Sequence, residues 1–169
     1  RNDRTILEDR IYAIEKHGFC REHDFDVSQV SPAKAVFTME DTPDTHRVYP
    51  YAFCLSLTYE LKDGMLSMEY QVKNKDRRAM WYAIGAHPGF NCPMEEGFAF
   101  EDYRLEFEQE EDTVSIPYDL EQLHFAPSKP GIPLKGSSLP LNREMFKHDA
   151  LFFDKLNSRK VSILNPATG

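Results

Sequence analysis

Phe53-Cys54-Leu55-Ser56-Leu57-Thr58-Tyr59-Glu60-Leu61-Lys62-Asp63-Gly64-Met65-Leu66-Ser67-Met68-Glu69-Tyr70-Gln71-Val72-Lys73 is the stretch whose reading decides the fold. Phe53, Leu55, Leu57, Tyr59 and Leu61 alternate with Cys54, Ser56, Thr58 and Glu60, a period of two that half-buries a strand. Lys62-Asp63-Gly64 turns the chain, with Asp-Gly supplying the positive-φ position. Leu66, Met68, Tyr70 and Val72 then alternate with Ser67, Glu69, Gln71 and Lys73, so the chain returns as the second arm of an antiparallel hairpin.

Outward from the hairpin, a charged turn at Asn74 to Arg78 leads into Ala79 to Ala86, which alternates again with Met80, Tyr82 and Ile84 on one face. Further strands are expected at Ala35 to Glu40, Tyr103 to Glu108, Leu151 to Phe153 and Lys160 to Leu164. Helix is scarce. The best candidate is a short turn from Arg143 to His148, capped by Asn142 after Pro140-Leu141. Ser128 to Pro140, rich in Pro, Gly and Ser, reads as a long surface connection. Short strands, closely spaced turns and little helix predict an all-β, antiparallel β-sandwich forming a single domain over residues 1–169.

With 169 residues, 41% hydrophobic and 12% aromatic, the chain can bury one substantial core. No run of eighteen apolar residues exists, and the first thirty residues are too charged for a secretory signal, so a cytoplasmic location is expected. The net charge of −8 argues against nucleic acid or an anionic membrane as partner, since both need clustered Lys and Arg. From Glu95 to Glu121 eleven acidic residues face Arg104 alone, which reads as a solvated surface rather than a metal site. Cys20, Cys54 and Cys92 are odd in number and lack CxxC spacing, so they are expected to pack as small hydrophobes rather than form disulfides. His23, His46, His124 and His148 lack ligand spacing, and no glycine-rich phosphate loop occurs.

Two histidine loops remain: His17-Gly18-Phe19-Cys20-Arg21-Glu22 and Ile84-Gly85-Ala86-His87-Pro88-Gly89-Phe90-Asn91-Cys92-Pro93. Each follows backbone that reads as extended, and each sets a histidine beside glycine or proline, an aromatic ring and a polar partner. Such a mixture suits a sugar site. An imidazole with an ordinary pKa of about 6.5 exchanges protons at neutral pH, and an aromatic ring such as Phe90 can cover the apolar face of a pyranose. Every one of these residues also has a structural reading. A loop histidine can be held by hydrogen bonds, Arg21 can pair with a nearby carboxylate, and Asp149 can cap the turn after His148.

On His17-Gly18-Phe19-Cys20-Arg21, Gly85-Ala86-His87-Pro88-Gly89-Phe90-Asn91-Cys92-Pro93 and Asp149-Ala150-Leu151-Phe152-Phe153, the chain resembles the aldose 1-epimerase (galactose mutarotase-like) superfamily. It is most similar to the bacterial epimerase-like branch of unassigned sugar specificity. The resemblance implies a galactose mutarotase-like supersandwich and cofactor-free interconversion of the α and β anomers of a hexose. It gives His87 the acid role, with His17 near the anomeric centre, Arg21 as a further site residue and Asp149 on ring hydroxyls. Arg1 corresponds to a site arginine whose preceding glycine would lie before the first residue. The family's base, a glutamate followed by proline and an aromatic on a late strand, has no counterpart after Leu164, so a fragment incomplete at both ends is expected. A monosaccharide is the expected partner, with a homodimer as the candidate assembly. A carbohydrate-binding or sugar-sensing module without catalysis is the alternative, and a cupin-like metal enzyme is the third reading.

Overall fold

The structure, a computed structural model, describes residues 3–121 and 124–169. The chain divides into two compact units, one reaching to Gly85 and the other spanning Ala86–Gly169, and each has its own sheet and core. In the first, β1 (Arg4–Leu7) and β2 (Arg10–Ala13) form a ribbon that turns through Glu8 and Asp9, both at positive φ. Beyond it, β3 (Asp26–Ser31), β4 (Lys34–Glu40), β5 (Phe53–Lys62) and β6 (Met65–Asn74) make an antiparallel sheet in that order. The β5–β6 hairpin runs in register from Phe53 opposite Asn74 to Lys62 opposite Met65. Its two-residue turn is Asp63 (φ 52°) and Gly64 (φ 76°), the pair of left-handed conformations that matches strand twist.

Pairing on both sides of β5 lines its apolar residues up with those of its neighbours. Leu55 stands between Met39 and Val72, Leu57 between Phe37 and Tyr70, and Tyr59 between Ala35 and Met68. A slip of one residue would send every one of these side chains to the opposite face. The core of this unit is Met39, Tyr49, Tyr51, Phe53 and Leu55, with Leu7, Phe19, Phe25, Val72 and Met80 packed against it. Tyr49 arrives from the short helix α1 (Thr45–Val48), whose fully buried Thr45 receives the Thr42 amide on Oγ1 at 2.9 Å. Burial fades along β5 toward Leu61, where Phe25, Ala35, Phe37, Leu57 and Tyr59 line an open apolar hollow.

In the second unit, β7 (Arg104–Val114) lies between β10 (Pro133–Pro140) and β11 (Val161–Leu164), antiparallel to both. A small pair, β8 (Tyr118–Asp119) and β9 (His124–Phe125), stands beside Phe152, whose ring meets that of Phe125 edge-on at 4.9 Å. Phe107, Leu134 and Leu139 form the core, flanked by Leu105, Met145, Leu151, Phe153 and Leu156. Glu111 occupies a core-facing position of β7 at 3% exposure. Its carboxylate receives the amides of Asn157 (2.9 Å) and Ser158 (2.7 Å), which staples the segment before β11 to the sheet. These donors hold the Glu111 carboxyl below the usual range, the Asn157 amide foremost.

All ladders are antiparallel, and helix is confined to α1 and three 3₁₀ turns among the described residues, so the all-β antiparallel expectation holds. Three local expectations need correction. Ser128 to Pro140 is not all connection, because Pro133–Pro140 is β10: its prolines sit at the strand ends, and Gly136 (φ 83°) sits where a bulge shifts the register against β7. Ala79 to Ala86 forms no strand; alternation marks every second residue as apolar but supplies no ladder partner, and Trp81 is fixed instead by the Tyr49 hydroxyl, which donates to its carbonyl at 2.7 Å. Leu151 to Phe153 shrinks to one bridge between Phe152 and Ile116. Among the described residues no helix is long and apolar enough to cross a membrane.

Two outcomes test this packing. Phe53→Ala is expected to cost about 3–5 kcal/mol in urea unfolding, whereas Leu66→Ala, on the exposed arm of the hairpin, costs less than about 1 kcal/mol. The Glu111 contribution is complete above the ordinary glutamate pKa of about 4.3 and is lost as pH falls through its depressed folded value. Wild-type stability is therefore expected to fall more steeply below about pH 5 than that of Glu111→Gln, as read from urea midpoints across the acid range. Equal slopes would contradict the staple.

Candidate functional site

The His17 segment leaves β2 at Ala13 and closes a turn in which the Gly18 amide donates to the Glu15 carbonyl at 2.9 Å. Gly18 has φ 74° with open space where a Cβ would stand, so conformation rather than crowding calls for glycine there. The next residue anchors the segment. The Phe19 ring lies 5.5 Å from Tyr49 and 5.9 Å from Phe53, inserting into the aromatic end of the first core. The 3₁₀ turn Cys20–Glu22 follows, and His23 Nδ1 hydrogen-bonds the Phe19 carbonyl at 2.9 Å. His17 and Arg21 are left exposed on either side of this anchor. The Arg21 guanidinium pairs with Glu22 at 3.0 Å and Glu15 at 3.7 Å, realising the carboxylate pairing open to it from sequence.

His87 and Phe90 lie in the second unit, on a loop without regular structure that is exposed from residue 86 to residue 91. Phe90 is 72% exposed, a ring presented to solvent rather than to the core. The far end of this loop is gripped by Tyr103, itself only 1% exposed. Its hydroxyl accepts the amides of Met94 (2.9 Å) and Glu95 (3.2 Å) and donates to the Glu95 carboxylate. Thr168 Oγ1 donates to the other carboxylate oxygen at 3.0 Å. The Tyr103 hydroxyl, foremost, holds the Glu95 carboxyl below the usual range, and Thr168 and the Asn165 side chain add to it.

Asp149 is reached from the same neighbourhood. Past Glu95 the chain enters the 3₁₀ turn Phe100–Asp102, and the Phe100 ring packs edge-on against Phe146 at 6.0 Å. Phe146 closes the 3₁₀ turn Arg143–Phe146, which Asn142 caps by accepting the Met145 amide at 3.1 Å, as the sequence indicated. Arg143 lies over Phe100 at 5.2 Å and beside Glu101 at 3.8 Å. Three residues after this turn, Asp149 stands exposed at φ 85°, its amide donating to the Phe146 carbonyl at 3.0 Å. A non-glycine residue in the left-handed region carries a backbone cost, as Glu8, Asp9 and Asp63 also do at their turns.

Burial pushes the thiols of Cys20 and Cys92 up, away from the thiolate, so both fit the packing role rather than that of a nucleophile. Among the described residues no three His, Cys, Asp or Glu side chains gather as a metal site. Arg1 lies outside the described residues. Sequence reasoning missed Tyr103 and Glu95. The signal for Tyr103 was an aromatic at the mouth of a strand, but the amides it holds belong to residues eight and nine positions earlier.

Residues 3–161 match the family model described as aldose 1-epimerase. The chromosomal Protein LacX of Lactococcus lactis subsp. lactis is 34% identical over 177 residues, covering 100% of this chain and 59% of its own length. The plasmid form is 35% identical, covering 92% of this chain and 53% of its own length. A galactose mutarotase related enzyme from Lactobacillus acidophilus superposes with a TM-score of 0.87 at 29% identity, over 98% of this chain and 55% of its own. For a galactose mutarotase-like protein from Lactobacillus casei ATCC 334 the TM-score is 0.70 at 31% identity, over 85% of this chain and 49% of its own. The chain thus spans little more than half the length of the curated relatives it matches.

Asp149→Gly removes the left-handed strain and is expected to raise the unfolding free energy by about 1 kcal/mol, while Asp149→Asn leaves it within about 0.5 kcal/mol. Thermal unfolding checks both. A glycine variant less stable than wild type would show that the carboxylate, not the backbone, holds this turn.

Proposed function

This chain belongs to the aldose 1-epimerase family, and we propose that it binds a free hexose and supplies the acid for exchange between its α and β anomers. The observation that carries this reading is the His87 loop, which presents an imidazole and the Phe90 ring to solvent from a segment within the family match. In the proposed reaction a base removes the proton from the anomeric hydroxyl while His87 donates one to the ring oxygen. The bond between the anomeric carbon and the ring oxygen breaks, and the anomeric carbon becomes a carbonyl. Rotation and reclosure on the other face then return both protons. His17 and Arg21 are proposed to hydrogen-bond the sugar near its anomeric end, Asp149 to accept from ring hydroxyls, and Phe90 to cover an apolar ring face. The glutamate base is proposed to come from the part of the relatives' length that these residues do not span. The same reading places the reaction in the cytoplasm and asks for no cofactor.

The alternative is a sugar-binding module that uses the same exposed imidazole and Phe90 ring without catalysis. Polarimetry or NMR exchange on freshly dissolved α-glucose and α-galactose, with the chain carried at the length of its relatives, separates the two. Catalysed exchange is expected, and His87→Ala is expected to lower it by about 10²–10⁴-fold with folding retained. An unchanged rate removes His87 from the mechanism, and sugar binding without exchange in the wild type favours the module.

A further inference from the structure

Among the described residues the loop that carries His87 joins no ladder, and its far end lies at Met94 and Glu95. What fixes that end is one hydroxyl used to capacity. A phenol has one donor and two acceptor sites, and Tyr103 fills all three: the Met94 and Glu95 amides donate to it, and it donates to the Glu95 carboxylate. Glu95 is in turn tied through Thr168 to the turn after β11. Tyr103 leads directly into β7, and its carbonyl receives the Leu141 amide at 2.9 Å next to β10, so the anchor is seated on the most extensively paired strand of its unit. Between this anchor and His87, Pro88 and Pro93 each remove a soft φ torsion, and Cys92 is half-buried within the electrostatic reach of Arg143 and Glu101. The loop is thus held at Met94 and Glu95 and stiffened at Pro88 and Pro93, with Gly89 its one permissive position.

We propose that Tyr103, acting through the Met94 and Glu95 amides and the Glu95 carboxylate, is the positioning residue that sets where His87 is presented. This rests on the acid role proposed for His87. Tyr103 touches no sugar; it governs the placement of the group that does. Tyr103→Phe keeps the buried ring and deletes only the hydroxyl, leaving two amides and a carboxylate without their shared partner.

Two readouts test it. Amide hydrogen exchange at Met94 and Glu95 is expected to accelerate by about tenfold or more in Tyr103→Phe, while the amides of the β7–β10 ladder keep their protection. In anomer exchange, with the chain at the length of its relatives, kcat is expected to fall between about tenfold and a hundredfold with KM little changed, since placement of the acid and not sugar contact is lost. Glu95→Gln, which keeps an acceptor oxygen for Tyr103 and turns its amide NH2 to the Thr168 hydroxyl, is expected to recover most of the rate that Glu95→Ala loses. Unchanged protection at Met94 and Glu95, or faster amide exchange with an unaltered kcat, overturns the proposal. If the wild type carries no anomer exchange, or His87→Ala matches it, the reading of function fails, and the Tyr103 anchor is then judged by the amide data alone.

Discussion

Strand β5 is paired on both sides, and that two-sided pairing decides which face of β4 and β6 turns toward the first core. With the register set, Phe53 and Leu55 must lie beside Met39, and the aromatic pair Tyr49 and Tyr51 closes over them. The Tyr49 ring is so enclosed that its hydroxyl is pushed up to about 12, burial being the main cause. Phe19 enters this aromatic end, and the chain on either side of it, with His17 before and Arg21 after, is located by that one ring. A core built by strand alternation thus fixes the position of a loop that has no alternation of its own.

The second unit solves the same problem with polar chemistry. Its core of Phe107, Leu134 and Leu139 holds β7 between two partners, and two groups on that strand or at its mouth reach out to irregular backbone. Glu111 gathers the amides of residues 157 and 158, and Tyr103 gathers those of residues 94 and 95. Buried amides need acceptors, so an irregular segment held against a sheet recruits them from side chains. Phe146 on Phe100 then joins the approach to Asp149 with the exit from the His87 loop. His87 and Phe90 are thus exposed on a loop whose far end Tyr103 holds, and Asp149 is exposed just after the turn that Phe146 closes.

The hairpin was legible because two physical signals agreed, the period of two and an Asp-Gly pair able to take left-handed φ at both turn positions. β10 was not, because Pro133, Gly136 and Pro140 carry the composition of a loop while serving as strand ends and a bulge. β3 also escaped notice, since Asp26 to Ser31 holds only Val27 and Val30 as apolar residues and depends on β4 for its pairing. The family, in contrast, was readable from the two histidine loops and the segment from Asp149, and the family match over residues 3–161 agrees with them. The anchors behind those loops were hidden. Tyr103 and Glu95 meet through space, and Glu111 was lost in an acidic tract that otherwise reads as solvated surface, although its parity with Leu105 and Phe107 marks it as core-facing.

The proposal that His17 and His87 are the imidazoles that meet sugar is tested most directly by histidine side-chain NMR during titration with glucose and galactose. The account predicts that the ring resonances of residues 17 and 87 move together with saturation. Those of His23, held by the Phe19 carbonyl, and His46, held by Asp41, should stay in place. Saturable binding that leaves both the residue 17 and residue 87 rings unmoved would contradict it.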